Sequence, residues 1–410
     1  MRFRQVLFWV HLVAGLIAGL SIAIMCFTGT VLAFEKQIVS WSERDARRVP
    51  APAENQTRLP LDTLIERVQA ENPDARPASI VVSADPRDAV AISLGRDNTV
   101  YVNPYTGELR KPASTAVHDF MHVMVDWHRY LALSGDQRPT GKLINGICNL
   151  AFFALAVTGI YLWMPRSWSW RSVRAVSLFN WSARGKARDF NWHNVIGLWT
   201  APILIVLTLS AVPISFRWGN DLVYRLVGEE PPVRGPGAAA TPAPELPPPP
   251  PGARPLSREA QFAAVQTAFP DFQQITLRLI APGRGPGGAG PGPQNQQQTP
   301  PRAERGERGG RSGPQPLNFI VKLPGTWPRT ATTTVTLNPV TGDFLRTEAF
   351  ADLSAARQIR SWTRFLHTGE ALGFGGQFIA GLASLGGCFL TYTGFALAWR
   401  RFFRKKSATP

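Results

Sequence analysis

"FWVHLVAGLIAGL" (residues 8–20) and "FNWHNVIGLW" (190–199) each set a histidine near the start of a long apolar run, with a glycine four residues later. An imidazole is costly in such a setting unless something inside the protein satisfies it. Finding the same cost in two places suggests that the two stretches are copies. Testing the copy along the rest of the chain decides the fold.

The 410 residues are 44% apolar, an average that suits a soluble protein. The apolar residues, however, are concentrated in four blocks: 6–34, 144–164, 195–216 and 378–399. Each is about the ~20 residues needed to cross a bilayer. They predict four transmembrane helices over 6–34, 142–164, 192–216 and 376–399. The first block is too long and too poor in small residues before Glu35 to be a cleaved leader, and reads as an uncleaved anchor.

Basic residues flank these spans unevenly. Arg2 and Arg4 precede the first; Arg166, Arg171, Arg174, Arg184, Lys186 and Arg188 crowd the short connection 165–191; "RRFFRKK" (400–406) follows the fourth. Positive residues stay on the cytoplasmic side. Both termini and the short loop are thus expected inside, in a bacterial inner membrane, with the long segments 35–141 and 217–375 in the periplasm. The net charge of +16 then belongs to membrane edges and anionic lipid rather than to nucleic acid.

The duplication extends through all four spans. From His11 to Thr28 is 17 residues, as from His193 to Ser210; from Gly146 to Gly159 is 13, as from Gly381 to Gly394. Thr158-Gly159 and Thr393-Gly394 close spans two and four. In the outer segments "YVNPYTGELR" (101–110) matches "TLNPVTGDFLR" (336–346), a strand–turn–strand signature. Each segment also carries an amphipathic helix and a strand: "LDTLIERVQAENP" (61–73) with "ASIVVS" (78–83), and "LSREAQFAAVQTAFP" (256–270) with "ITLRLI" (275–280). The expected architecture is a four-transmembrane-helix bundle made of a helix–lobe–helix unit used twice, with two small α+β periplasmic lobes. The lobes run over 35–117 and 217–351, and interfacial helices with their loops over 118–141 and 352–375. Pro, Gly, Gln and Arg dominate 229–255 and 282–316, two insertions that predict disorder.

Duplication also pairs the histidines. Packing the halves about an axis along the membrane normal sets His11 against His193 near the inner face and His128 against His367 near the outer one. Opposed imidazoles in an apolar bundle are the donor set of bis-histidine haem. Gly15 and Gly197, on the same helix faces as their histidines, leave room for a flat macrocycle that Trp9, Trp192 and Trp199 would wall. Two b-type haems are expected, with Arg129 and Arg364 as propionate partners of the outer one. Each feature has a plainer reading: span-end histidines satisfied between helices, glycines and Thr-Gly pairs that serve helix packing, and arginines that snorkel. His118 and His122, four residues apart on "ASTAVHDFMHVMVDWHRYLAL" (113–133), could replace His128 as a ligand or bind metal themselves. Cys26, Cys148 and Cys388 show no metal spacing and no C-x-x-C-H motif, which points away from disulfides and covalent haem. "GRGPGGAGPG" (283–292) is low-complexity sequence, not a dinucleotide loop. Electrons must therefore come from a partner, either a quinol or a cytoplasmic flavin reductase.

The paired N-P-x-T-G-acid lobes, the two H-x-x-x-G openings and the two T-G…W closings resemble PepSY-associated transmembrane proteins over nearly the whole chain. The resemblance implies PepSY-like lobes and a role in iron uptake. It also implies a ferrisiderophore reductase with His11, His128, His193 and His367 on the family's histidine positions, releasing Fe(II) from a ferric chelate at the periplasmic face. A different class of function, a membrane anchor whose lobes bind a protease, envelope or signalling partner, needs none of these histidines.

Overall fold

A computed structural model describes the chain except residues 1–2, 96–97, 166, 233–243, 245, 247–251, 280–314 and 404–410. Most of the two insertions expected to be disordered lies outside the described residues.

Among the described residues four helices are long and apolar enough to cross a membrane: Phe3–Leu32, Arg138–Trp163, Gly185–Ser215 and Gly373–Phe402. Within the bundle each span packs against its two sequence neighbours, and the fourth packs against the first. Spans one and three therefore face each other along one diagonal, and two and four along the other. Small residues let the backbones approach closely where lipid supplies no hydrophobic drive. At Gly386 and Gly387 a Cβ would clash with Thr200 and Cys26. A layer of Ala18, Ile22, Cys26, Phe152, Leu204 and Ala383 fills the middle of the bundle. On the loop side, buried Asp189 at the start of span three meets Arg188 and, at 2.9 Å, Arg400 from the end of span four. A carboxylate that deep is tolerable only because both cations accompany it.

The outer segments form one body. Their strands are β1 (Ser79–Ser83), β2 (Val90–Ser93), β3 (Thr99–Val102), β4 (Leu109–Arg110), β5 (Gln274–Arg278), β6 (Leu317–Lys322), β7 (Thr333–Leu337) and β8 (Phe344–Glu348). They make a single antiparallel sheet in the order β4-β3-β2-β1-β5-β6-β7-β8. The expected two lobes are thus joined at β1–β5, where Ile80 pairs with Leu277 and Val82 with Ile275. Period-two alternation puts these four side chains on one face, in a shared core with Leu64 and Val68 of helix Leu61–Glu71 and Phe262 and Val265 of helix Arg258–Ala268. The two helices cap one another. Asp62 accepts from the backbone N–H groups of Arg258 and Glu259, and Glu259 accepts from that of Leu61. Otherwise orphaned N-terminal donors are satisfied across the repeat.

The two N-P-x-T-G turns are superposable in their bonding. Asn103 Oδ1 accepts from Tyr105 N at 2.9 Å, and Asn338 Oδ1 from Val340 N at 2.9 Å. Gly107 (φ +70°) and Gly342 (φ +79°) take the left-handed positions that only glycine occupies without strain. From each half of the sheet the chain returns to the bundle through an outer helix. Ala116–Tyr130 packs on spans one and two, and Ala355–His367 on span three.

Candidate functional site

Two histidine pairs stand at the two ends of the bundle. His11 on span one and His193 on span three both line one cavity of ≈ 1050 Å³ on the loop side. That volume is at the upper end for cofactor pockets. Gly15, Gly19, Gly197 and Gly394 contribute to its wall, as do Trp9 and Trp163, and Arg4, Lys186 and Arg401 line it too. Trp192 and Trp199, expected to wall it, do neither. Trp192 packs on Phe179 and Trp181, and Trp199 donates to Ser177 O at 3.0 Å. Both belong to the fold of the connecting loop.

At the lobe side, His128 near the end of one outer helix meets His367 at the end of the other. Their ring centroids are 6.1 Å apart with 49° between planes. His118 and His122 sit elsewhere on the first outer helix and pair with each other at 4.4 Å. The imidazole facing His367 is that of His128. Arg364 is exposed and lies over Phe365 at 5.6 Å. Arg129 is exposed as well, but its charge reaches both outer rings. Burial first, then His367 and Arg129, hold the His128 imidazole well below its ordinary value, and burial lowers His367 likewise. Both shifts favour the neutral imidazole, the form that ligates metal.

The hydrogen bonds of the rings settle which nitrogen is free. His11 Nδ1 lies 2.9 Å from Thr158 Oγ1, His193 Nδ1 2.9 Å from Thr393 Oγ1, and His128 Nδ1 2.8 Å from Thr28 Oγ1. Each threonine hydroxyl already donates to a carbonyl one turn back: Ala154 O, Phe389 O and Ile24 O, at 2.7, 2.8 and 2.7 Å. The hydroxyl proton being used, the oxygen can only accept, so the imidazole donates from Nδ1. His367 Nδ1 donates directly to Leu207 O at 2.9 Å. All four rings are thereby fixed with the proton on Nδ1 and the lone pair on Nε2.

The glycine after each threonine completes the seat. A Cβ on Gly159 would stand 3.5 Å from His11 Cε1, on Gly394 3.7 Å from His193 Cε1, and on Gly29 3.4 Å from His128 Cε1. The T-G pairs therefore form imidazole seats: threonine accepts the ring N–H, and the glycine lies beside the ring edge, where a Cβ would stand at ordinary contact distance. The seat for His367 differs. Its counterpart in the repeat is Ser210-Ala211, where Ser210 donates to Leu207 O at 3.0 Å and the histidine shares that carbonyl. Sequence reading had weighed the T-G pairs only as packing or termination. The signal was present, since Thr28-Gly29, Thr158-Gly159 and Thr393-Gly394 recur at matching places in the repeat.

Among the described residues no group of three or more His, Cys, Asp or Glu gathers as a metal cluster. The histidines of the bundle stand in twos, His11 and His193 lining one cavity and His128 facing His367. Along span one, His11 and Thr28, which seats His128, are 17 residues apart, a rise of about 25 Å at 1.5 Å per residue.

A search among curated proteins returned no match to the chain. The family model of the PepSY-associated TM region matches residues 8–401. The chain therefore belongs to that membrane-protein family.

Proposed function

We propose that this PepSY-associated protein is a di-haem b reductase of the bacterial inner membrane. In this reading it passes electrons from the cytoplasmic side to a periplasmic ferric chelate such as a ferrisiderophore, which releases Fe(II). The carrying observation is that four histidines, two lining the loop-side cavity and two with facing rings on the lobe side, each tie Nδ1 to the protein and leave Nε2 as the free nitrogen. A histidine that serves only helix packing has no reason to share this tautomer with three others.

The residues fit the group on two further counts. A first-row metal–imidazole bond is about 2 Å, so a metal between two rings sets their centroids about 6 Å apart, against the 6.1 Å between His128 and His367. The inner cavity combines two histidines, glycine-flattened walls and three cations. His11 and His193 would hold a haem there, with Arg4, Lys186 and Arg401 available to its propionates; His128 and His367 would hold the outer one. Haem b, when bound, would supply a one-electron iron couple.

The chain's own contribution is geometric. Thr28, Thr158, Thr393 and the Leu207 carbonyl orient the rings and raise their basicity by accepting the Nδ1 proton. The apolar layer between the two levels excludes water. The electron donor is a quinol or a cytoplasmic flavin reductase. The test is a reduced-minus-oxidised spectrum of the purified protein with haem quantified per chain. Two b-type haems are expected, and a colourless protein leaves only the anchor function.

A further inference from the structure

The lobe and the membrane bundle enclose a second cleft, of ≈ 360 Å³, on the side of the molecule that holds His128 and His367. Gln273 and Lys322 from the β5–β6 edge, Thr326 and Arg329 from the loop after β6, and Gly373 and Phe374 from the start of span four line it. The wall is mainly polar. Lys322 and Arg329 are both exposed, and no acidic partner for either is found among the described residues. Two cations facing one small cleft repel each other, an arrangement that an anion entering between them relieves.

The cleft is built rather than incidental. Arg329 N donates to Ala371 O at 3.1 Å, and this pins the lobe loop to the turn that precedes span four. Gln273 N donates to Lys322 O at 2.7 Å, which holds the opposite wall. That same turn begins at His367: Gly369 packs so tightly on Gly376 and Gln377 that a Cβ there would lie 2.6 Å from Gly376 O. Five residues of compact turn thus connect an outer histidine to the cleft wall.

We infer that this cleft is the docking site of the electron acceptor and that it selects an anionic ferric chelate, of the carboxylate or catecholate class, over a neutral hydroxamate complex. The inference rests on the reductase reading for the identity of the metal. The cationic cleft itself does not depend on it. In the step served, one electron supplied by the quinol- or flavin-reduced protein converts the docked Fe(III) to Fe(II). No bond to the protein forms or breaks. The chelate's oxygen donors hold Fe(II) less tightly and take up protons from water as it leaves.

The test uses gallium(III) citrate, which mimics the charge and size of the ferric complex and is not reduced. The full chain is placed in nanodiscs of zwitterionic lipid and binding is measured at equilibrium. Wild type is expected to bind with an affinity that falls as salt rises. Lys322→Gln together with Arg329→Gln is expected to weaken binding at least about tenfold, and Lys322→Arg to retain it. Lys322→Gln alone, at an exposed strand end, serves if the double variant does not fold. Unchanged binding in these variants overturns the proposal. Displacement of the probe by a soluble phosphatidylglycerol analogue at equal concentration also overturns it and assigns the cleft to lipid headgroups. Gallium citrate bound normally by a protein that carries no haem would sink the reductase reading and leave the anion site standing.

Discussion

The inner and outer histidine pairs are built from the same parts but not in the same way. The inner pair is symmetric: each histidine sits on a membrane span, and each donates to a threonine on the neighbouring span. The outer pair is carried on separate helices that leave the lobes, and its two seats differ, Thr28 for His128 and the Leu207 carbonyl for His367. Duplication supplied both levels, and only the inner one has kept its symmetry. The difference is local. Ser210 stands where the other seats have threonine and donates to Leu207 O, and His367 donates to that carbonyl rather than to the hydroxyl. Ala211 stands where the other seats have glycine. Positions set by one helix pair stay equal, whereas positions that depend on docking a lobe drift.

Removing a ligand at either level should break the comparison most strongly. His193→Ala is expected to leave one haem of two, with the outer spectrum unchanged, and His367→Ala the reverse. Haem quantification with optical spectra checks both, and a variant that keeps two haems refutes the pair assignment for that level.

Threonine seats come next. Thr158→Val or Thr393→Val keeps the side-chain shape but leaves an Nδ1–H unpaired, which costs about 1–3 kcal/mol. Loss of such an outer-shell partner typically weakens metal retention about 10–100-fold. The expected readouts are faster haem loss and a lowered basicity seen as a shift in midpoint potential, confined to the inner haem. Thr393→Ser, which keeps the hydroxyl, should restore most of both. A smaller effect sharpens the asymmetry. Ser210→Thr should give His367 the seat its partner has and draw the outer ligand set toward the inner one, seen as a potential shift of tens of millivolts in the outer haem alone.

The smallest effect concerns how the outer helix is docked. Glu348 on β8 holds Arg357 of the helix that ends in His367, at 2.7 and 2.9 Å. That hydrogen bond, aided by Arg346, keeps the Glu348 carboxyl below its usual value of 4.5. A carboxyl with a lowered folded value stabilises above the unfolded one and loses that contribution as pH falls through the folded one. Glu348→Gln should therefore cost about 1 kcal/mol at neutral pH, since Arg357 is partly exposed, and nothing once the pH has fallen below the lowered folded value. Hydrogen exchange on residues 355–367 would show it, while the inner site should not respond.

Much of this was legible in the sequence. Equal spacings in the two halves identified the spans, the repeat and the histidine levels, because helix periodicity and bilayer thickness translate directly into residue counts. Strand pairing between β1 and β5 was not legible, since it joins segments nearly 200 residues apart and each lobe already reads as a small sheet with its own helix. The threonine seats were hidden by chemistry of their own. A Thr-Gly pair in a membrane helix also serves close packing, and only the direction of the Thr158, Thr393 and Thr28 hydroxyls separates the two uses. Trp192 and Trp199 misled because they stand one before and six after His193, offsets that about 3.6 residues per turn carry to other faces of the helix.

The central claim is that two opposed imidazole pairs hold two haems at the two membrane levels. Redox titration of the purified full-length protein, followed in the visible b-type bands, tests it most directly. The account predicts two haems per chain and two separable one-electron waves, with His193→Ala abolishing one wave and His367→Ala the other. A single wave removed by both substitutions, or a protein without b-type absorption, would contradict it.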